Sequence, residues 1–215
     1  MTDVQAAIQA AAEEMVASGA ETGLQIAVHR HGHVVADVVS GVADPETGAG
    51  VRPGTLFYAA SAAKGIAASL AHVLAERGDL DYDMRVAEVW PEFGSRGKDR
   101  VTLRHVLLHT AGLPGLPSQT TIEQLCDWDH MCAVLAAQEP WWEPGTRFPV
   151  SWAFGYSSDR PGGVPSRRGS TFGMVGANGS AANAHVDSGL AVAVMRNGPA
   201  QTGLAAVTRI DQLIA

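Results

Sequence analysis

The stretch Thr55-Leu-Phe-Tyr58-Ala-Ala-Ser61-Ala-Ala-Lys64-Gly65-Ile66 decides how the rest of the chain is read. Beyond it, Ile66, Leu70, Val73 and Leu74 recur at helical spacing and Gly78 supplies a stop, which predicts a helix over 61–76. Residues three apart share a helix face, so Lys64 lies one turn beyond Ser61, within reach of its hydroxyl. Ser61 falls at the helix start, where free N–H groups and the helix dipole favour developing negative charge. A serine hydroxyl is a poor nucleophile until a base removes its proton. A lysine is that base only if burial keeps part of it neutral. The neighbours Ala62, Ala63, Gly65, Ile66 and Ala67 are small or apolar, a setting that suits a buried amine. The chain has two lysines, Lys64 and Lys98, against thirteen arginines, so a Ser-x-x-Lys pair arises by chance only infrequently. The plain alternative is a capping serine and a surface lysine on an ordinary helix.

Outward from this helix, residues 3–18 carry Val4, Ile8, Ala11, Ala12 and Met15 at helical spacing. Leu24–Arg30 and His33–Ser40 are β-branched runs around a turn at His31-Gly32 and read as a hairpin, followed by loop from Gly41 to Gly54. Asp79–Phe93 reads as irregular, Thr102 as the cap of a short helix through Leu108, and Thr121–Gln138 as one helix. Pro140–Pro165 shows no period. Ser170–Val175, Ser180–His185 and Leu190–Arg196 are short strand candidates, and Gly203–Ile214 a closing helix. Strands at both ends with helices between them predict an α/β (α+β) fold in one domain over 1–215, its sheet formed by both chain ends.

Composition sets limits. With 46% apolar and 17% charged residues, the 215-residue chain is not of disordered type. A net charge of −7 with no basic run excludes a phosphate-binding surface, so no nucleic-acid partner is expected. No apolar stretch approaches a membrane span, and Met1–Ala20 lacks a basic start and apolar run, so the expected compartment is the cytoplasm. Cys126 and Cys132 are then expected as free thiols.

Thr55–Lys64, followed by Leu103-Arg-His-Val-Leu-Leu-His109-Thr-Ala111-Gly-Leu113, resembles the serine β-lactamase-related family, which includes class C β-lactamases, D-Ala-D-Ala carboxypeptidases and family VIII esterases. Phe172-Gly-Met174-Val-Gly176-Ala-Asn-Gly-Ser180 is similar to a signature strand of that family, and Asp187–Asn197 to the strand after it. The likeness covers roughly 20–115 and 170–197, with a weaker match at Trp141-Trp-Glu-Pro-Gly-Thr146. It implies a β-lactamase/transpeptidase-like fold with a reduced helical lobe. It also implies acyl transfer through Ser61 with Lys64 as base, on a small-molecule ester or amide and without cofactor or metal. The amides of Ser61 and Ala177, the latter after Gly176, would form the oxyanion hole. Esterase action on small esters or lactones is the first expectation. A non-catalytic shortened binding protein and a biosynthetic acyltransferase are the alternatives. Pairing with a second copy is one way a shortened chain could complete its site.

The pattern departs from the family in two places. Glu143–Arg147 passes almost directly to Ser151–Tyr156, and the family's tyrosine motif is missing. Tyr156 is its best substitute, while Tyr58 is expected to pack beside the helix start. Met174 stands where the family has Lys, His or Trp and cannot bind a substrate carboxylate, which argues against carboxylated β-lactams. His29, His31 and His33 alternate, but Gly32 turns the chain between them, so no metal is expected there. His109 is expected to shape the turn at Gly112, Trp141 and Trp142 to cover core, and Asp79, Asp81 and Asp83 to form a solvated turn.

Overall fold

The computed structural model describes residues 3–147, 152–153, 156–157, 170–198 and 203–214. The chain divides into two compact units, Met1–Ile66 with Tyr156–Ala215, and Ala67–Gly155.

The first unit is a sheet with helices. Helix α1 (Val4–Ala17) is capped by Asp3, whose carboxylate accepts from the Ala6 amide at 3.4 Å, and it buries Ile8, Ala11 and Ala12. Strands β1 (Gly23–Arg30) and β2 (His33–Asp44) form the expected hairpin. Its turn residues His31 and Gly32 have φ of 50° and 80°, the left-handed geometry that two-residue hairpin turns demand. β2 runs on through Gly41–Asp44, expected as loop, and pairs with β3 (Ala49–Gly50). Strands β4 (Trp152–Ala153), β5 (Tyr156–Ser157), β6 (Thr171–Val175), β7 (Ala181–His185) and β8 (Leu190–Arg196) complete the sheet in the order β3-β2-β1-β8-β7-β6-β5-β4. β1 pairs antiparallel with β8, from Leu24↔Arg196 to Arg30↔Leu190, so both ends of the chain share one sheet, as expected. Leu24, Ile26, Val28, Val38, Val192 and Val194 are buried with Ile8 and Ala12 of α1 and with Val207 and Ile210 of the closing helix α7 (Ala205–Ile214).

Helix α2 (Ala62–Glu76) begins in the first unit and continues into the second. Only Ala62 and Ala68 of it are buried. The stripe read from the sequence lies largely on the surface, with Ile66, Leu70 and Val73 73%, 60% and 49% exposed. Periodicity marked an apolar face but not what covers it.

The second unit continues through α3 (Val86–Val89), a 3-10 turn at Pro91–Gly94, α4 (Leu103–Leu107), α5 (Ile122–Leu125) and α6 (Trp128–Ala137). The single helix expected over Thr121–Gln138 is two. Thr121 and Gln124 close a capping box on α5, and Asp127 interrupts the run by capping α6 through the His130 amide at 2.9 Å. The stretch 79–93, expected as irregular, holds α3 and the 3-10 turn. Trp141 is exposed rather than core, and Trp142 is half-buried.

Lys98 is fully buried in this unit, 5.3 Å from the Phe93 ring centroid. Its Nζ donates to the Ala136 carbonyl at 2.9 Å and to the Gln138 carbonyl, closing the end of α6. Lys98→Met keeps the apolar stem but takes a donor from both carbonyls; Ala136 retains Ser95 Oγ at 2.9 Å, while Gln138 loses the Nζ bond. The substitution is expected to lower stability by about 2 kcal/mol, read as a shift in the urea midpoint.

Candidate active site

The first unit brings four of the five expected site residues into one region. Ser61 stands at the N-terminus of α2, and Lys64 Nζ donates to Ser61 Oγ at 3.0 Å. Lys64 is exposed, however, which corrects the buried amine expected from its neighbours. Of those neighbours only Ala62 turns fully inward, while Ala63 and Ala67 share the exposed side with Lys64. Ala60, directly before Ser61, has φ of 47°. An L-residue with a Cβ in that left-handed conformation costs about 1–2 kcal/mol, a strain carried at the entry to the serine. The Tyr58 ring is 80% exposed and does not pack beside the helix start as expected.

The second wall comes from the turn after β6. A Cβ on Gly176 would stand 2.7 Å from the Ala59 carbonyl oxygen and 3.0 Å from Ala60 Cβ, so only glycine lets this turn approach the residues leading into Ser61. Among the described residues, neither the Ser61 amide nor the Ala177 amide donates to a protein acceptor. The Ser61 amide is one of the open donors at the start of α2, and the Ala177 amide lies in the turn after β6. Met174 is buried and offers no cation. Tyr156 is described only as backbone of β5, and the role expected of its side chain lies outside the described residues.

Sequence reasoning missed the scaffold of this turn. Asn178 Nδ2 donates to the Tyr58 carbonyl at 2.7 Å and to Ser180 Oγ at 3.1 Å, and its Oδ1 accepts from the Ser180 amide at 3.2 Å. Arg196 Nη1 donates to the Asn178 carbonyl at 2.6 Å, and its Nε lies 2.9 and 2.8 Å from the two Glu21 oxygens. Glu21 and Arg196 are buried. An arginine closing the apolar run Leu190–Met195 was a signal that a buried partner exists.

The other candidates do not gather. Among the described residues no three His, Cys, Asp or Glu side chains are arranged to hold a metal ion, and His31 turns its ring toward Gly189. His105 Nδ1 accepts from the Thr102 amide at 3.2 Å and its ring abuts Gly145, while His109 takes a left-handed φ of 56° three residues before Gly112. Asp83 is paired with Arg104 at 2.6 and 2.9 Å, a bond that holds its carboxyl below the ordinary value, and Asp79 is paired with Arg77. Cys126 and Cys132 are free thiols. Among the described residues no helix is long and apolar enough to cross a membrane.

This sheet, built from both chain ends with Ser-x-x-Lys at a helix start, has the β-lactamase/transpeptidase-like architecture. A crystallised family VIII carboxylesterase superposes with a TM-score of 0.79 at 19% identity, covering 98% of this chain and 97% of that one. A penicillin-binding protein homologue from Caulobacter crescentus gives 0.79 at 22% identity, with 99% and 96% covered. The family model described as Beta-lactamase matches residues 8–149. The chain belongs to the beta-lactamase family. Among curated relatives, the esterase/beta-lactamase LipL of Mycobacterium tuberculosis is 41% identical over 125 residues, 55% of this chain and 27% of that protein. Esterase EstB of Burkholderia gladioli is 41% identical over 90 residues, 40% of this chain and 23% of that protein. The matched segments thus span about a quarter of the length of these relatives.

Proposed function

We propose that this chain is a serine hydrolase that works through an acyl-enzyme on Ser61, with small esters or lactones as substrates. The observation that carries the reading is the 3.0 Å bond between Lys64 Nζ and Ser61 Oγ at the start of α2. In the reaction, neutral Lys64 takes the hydroxyl proton as Oγ attacks the carbonyl carbon. The carbonyl oxygen becomes an oxyanion held by the Ser61 and Ala177 amides. Collapse of the tetrahedral species breaks the ester bond. The alkoxide leaves with the proton returned from Lys64, with Tyr156 as the candidate relay. Water then attacks the acyl-enzyme by the same route. In the free protein Lys64 is exposed. The curated relatives named as esterases support the ester preference, as does buried Met174, which offers a substrate carboxylate no charge.

Exposed Lys64 equally favours a second reading, a binding protein that keeps the fold without the chemistry. Mass spectrometry after treatment with a fluorophosphonate separates the two. The expected result is one adduct, mapped to Ser61 and absent in Ser61→Ala. An unlabelled wild-type chain, under conditions where a family esterase reacts fully, rejects the hydrolase.

A further inference from the structure

We infer that Asn178 is a positioning residue for the Ser61 chemistry, anchored by the buried Glu21–Arg196 pair and clamping the Tyr58 carbonyl so that the Ala177 amide is held facing the serine. The inference rests on the acyl-enzyme reading proposed above.

The turn that carries Ala177 is closed internally by the Gly176 amide on the Ser180 carbonyl at 2.7 Å and the Gly179 amide on the Gly176 carbonyl at 2.9 Å. Those bonds fix its shape but not its place. Its place is fixed from two sides through one residue. On the core side, Arg196 Nη1 holds the Asn178 carbonyl at 2.6 Å, and the Arg196 amide donates to Ser180 Oγ at 3.2 Å. Arg196 cannot drift, because its Nε is held between the two Glu21 carboxylate oxygens and both side chains are sealed from water. On the serine side, Asn178 Nδ2 reaches the Tyr58 carbonyl at 2.7 Å. Among the described residues no other hydrogen bond ties the turn to residues 58–61. The segment it grips contains left-handed Ala60, whose unfavourable geometry gives residues 58–61 a reason to relax if released. An oxyanion donor must stand within a few tenths of an ångström of its place to stabilise developing charge. A shift of about 1 Å costs on the order of 100-fold in rate.

The test compares three variants of the full chain by the kinetics of fluorophosphonate labelling at Ser61. Asn178→Ala deletes the clamp. Asn178→Asp keeps an acceptor for the Ser180 amide but cannot donate to the Tyr58 carbonyl. Asn197→Ala is the matched control: it removes two similar bonds, to the Val42 and Ala43 carbonyls at 3.0 and 2.9 Å, just after β8 and away from the turn. The inference expects both Asn178 variants to lose about 10- to 100-fold in the maximal labelling rate, with little change in the concentration giving half that rate. Asn197→Ala keeps the parent rate. Equal losses in all three variants, or Asn178→Asp labelling like the parent, overturns the inference while leaving Ser61 the nucleophile. A parent chain that does not label rejects the underlying reading itself, and the inference with it.

Discussion

If Ser61 is acylated as proposed, Lys64→Met is expected to lower the rate of its acylation by an activated ester by at least about 10³-fold while leaving the melting temperature nearly unchanged. The two halves of this expectation come from the same observation. Lys64 is exposed, and its side chain bonds only to Ser61 Oγ among the described residues. Truncating it therefore creates no cavity and orphans no buried group, and surface changes of that kind stay within about 0.5 kcal/mol. The chemistry has no such tolerance. Without an adjacent base the hydroxyl must lose its proton to bulk water, and removing a base from a nucleophile pair costs on the order of 10³-fold or more. Lys64→Arg sharpens the test, because a guanidinium keeps the positive charge but does not accept a proton near neutral pH. If Lys64→Arg acylates like the parent, Lys64 serves as a fixed charge and not as a base. Stopped-flow release of a coloured leaving group reads both variants, with thermal melts run on the same samples.

The second large effect is on stability. Glu21→Gln is expected to cost about 3–5 kcal/mol, because it removes the negative charge bonded to a buried guanidinium. The parent pair is bonded at 2.9 and 2.8 Å with neither side chain reached by solvent. Arg196→Met should cost a similar amount, since it removes the guanidinium bonded to both oxygens of the buried Glu21 carboxylate. The double variant Glu21→Met/Arg196→Met recovers much of the loss by removing both charges together. Chemical denaturation of the parent, Glu21→Met, Arg196→Met and the double variant gives the coupling directly. A Glu21→Gln loss below about 1 kcal/mol would mean the pair is solvated in solution.

How far the sequence reached varies by element. The last three strands and the closing helix fell within two residues of where they lie, because short β-branched or alternating runs between Gly and Asn leave few other readings. Ser61 and Lys64 were legible through their spacing and through a resemblance whose first two blocks lie within the family match over residues 8–149, whereas Gly176 and Ala177 were read from a third block that lies beyond it. What the sequence could not supply was context. The apolar neighbours of Lys64 implied burial, but burial depends on what packs over a helix face, and here little covers that face. The break between α5 and α6 turned on Asp127, a residue equally at home on a solvated helix surface. Arg196 announced a need for a partner, yet nothing in a chain with 22 acidic residues singled out Glu21, 175 positions away.

That separation governs how the molecule is made. On the ribosome, β1 emerges with its hairpin mate β2, but its other neighbour, β8, lies almost a whole chain later. At about 5–20 residues per second, the wait from Leu24 to Arg196 is on the order of 10–35 s. Through that interval one edge of the nascent hairpin is open and the Arg196 guanidinium that bonds Glu21 has not yet been made. Synthesis conditions that hold the unfinished chain longer, such as slow codons near the last strands, should therefore lower soluble yield without touching the finished protein's melting point.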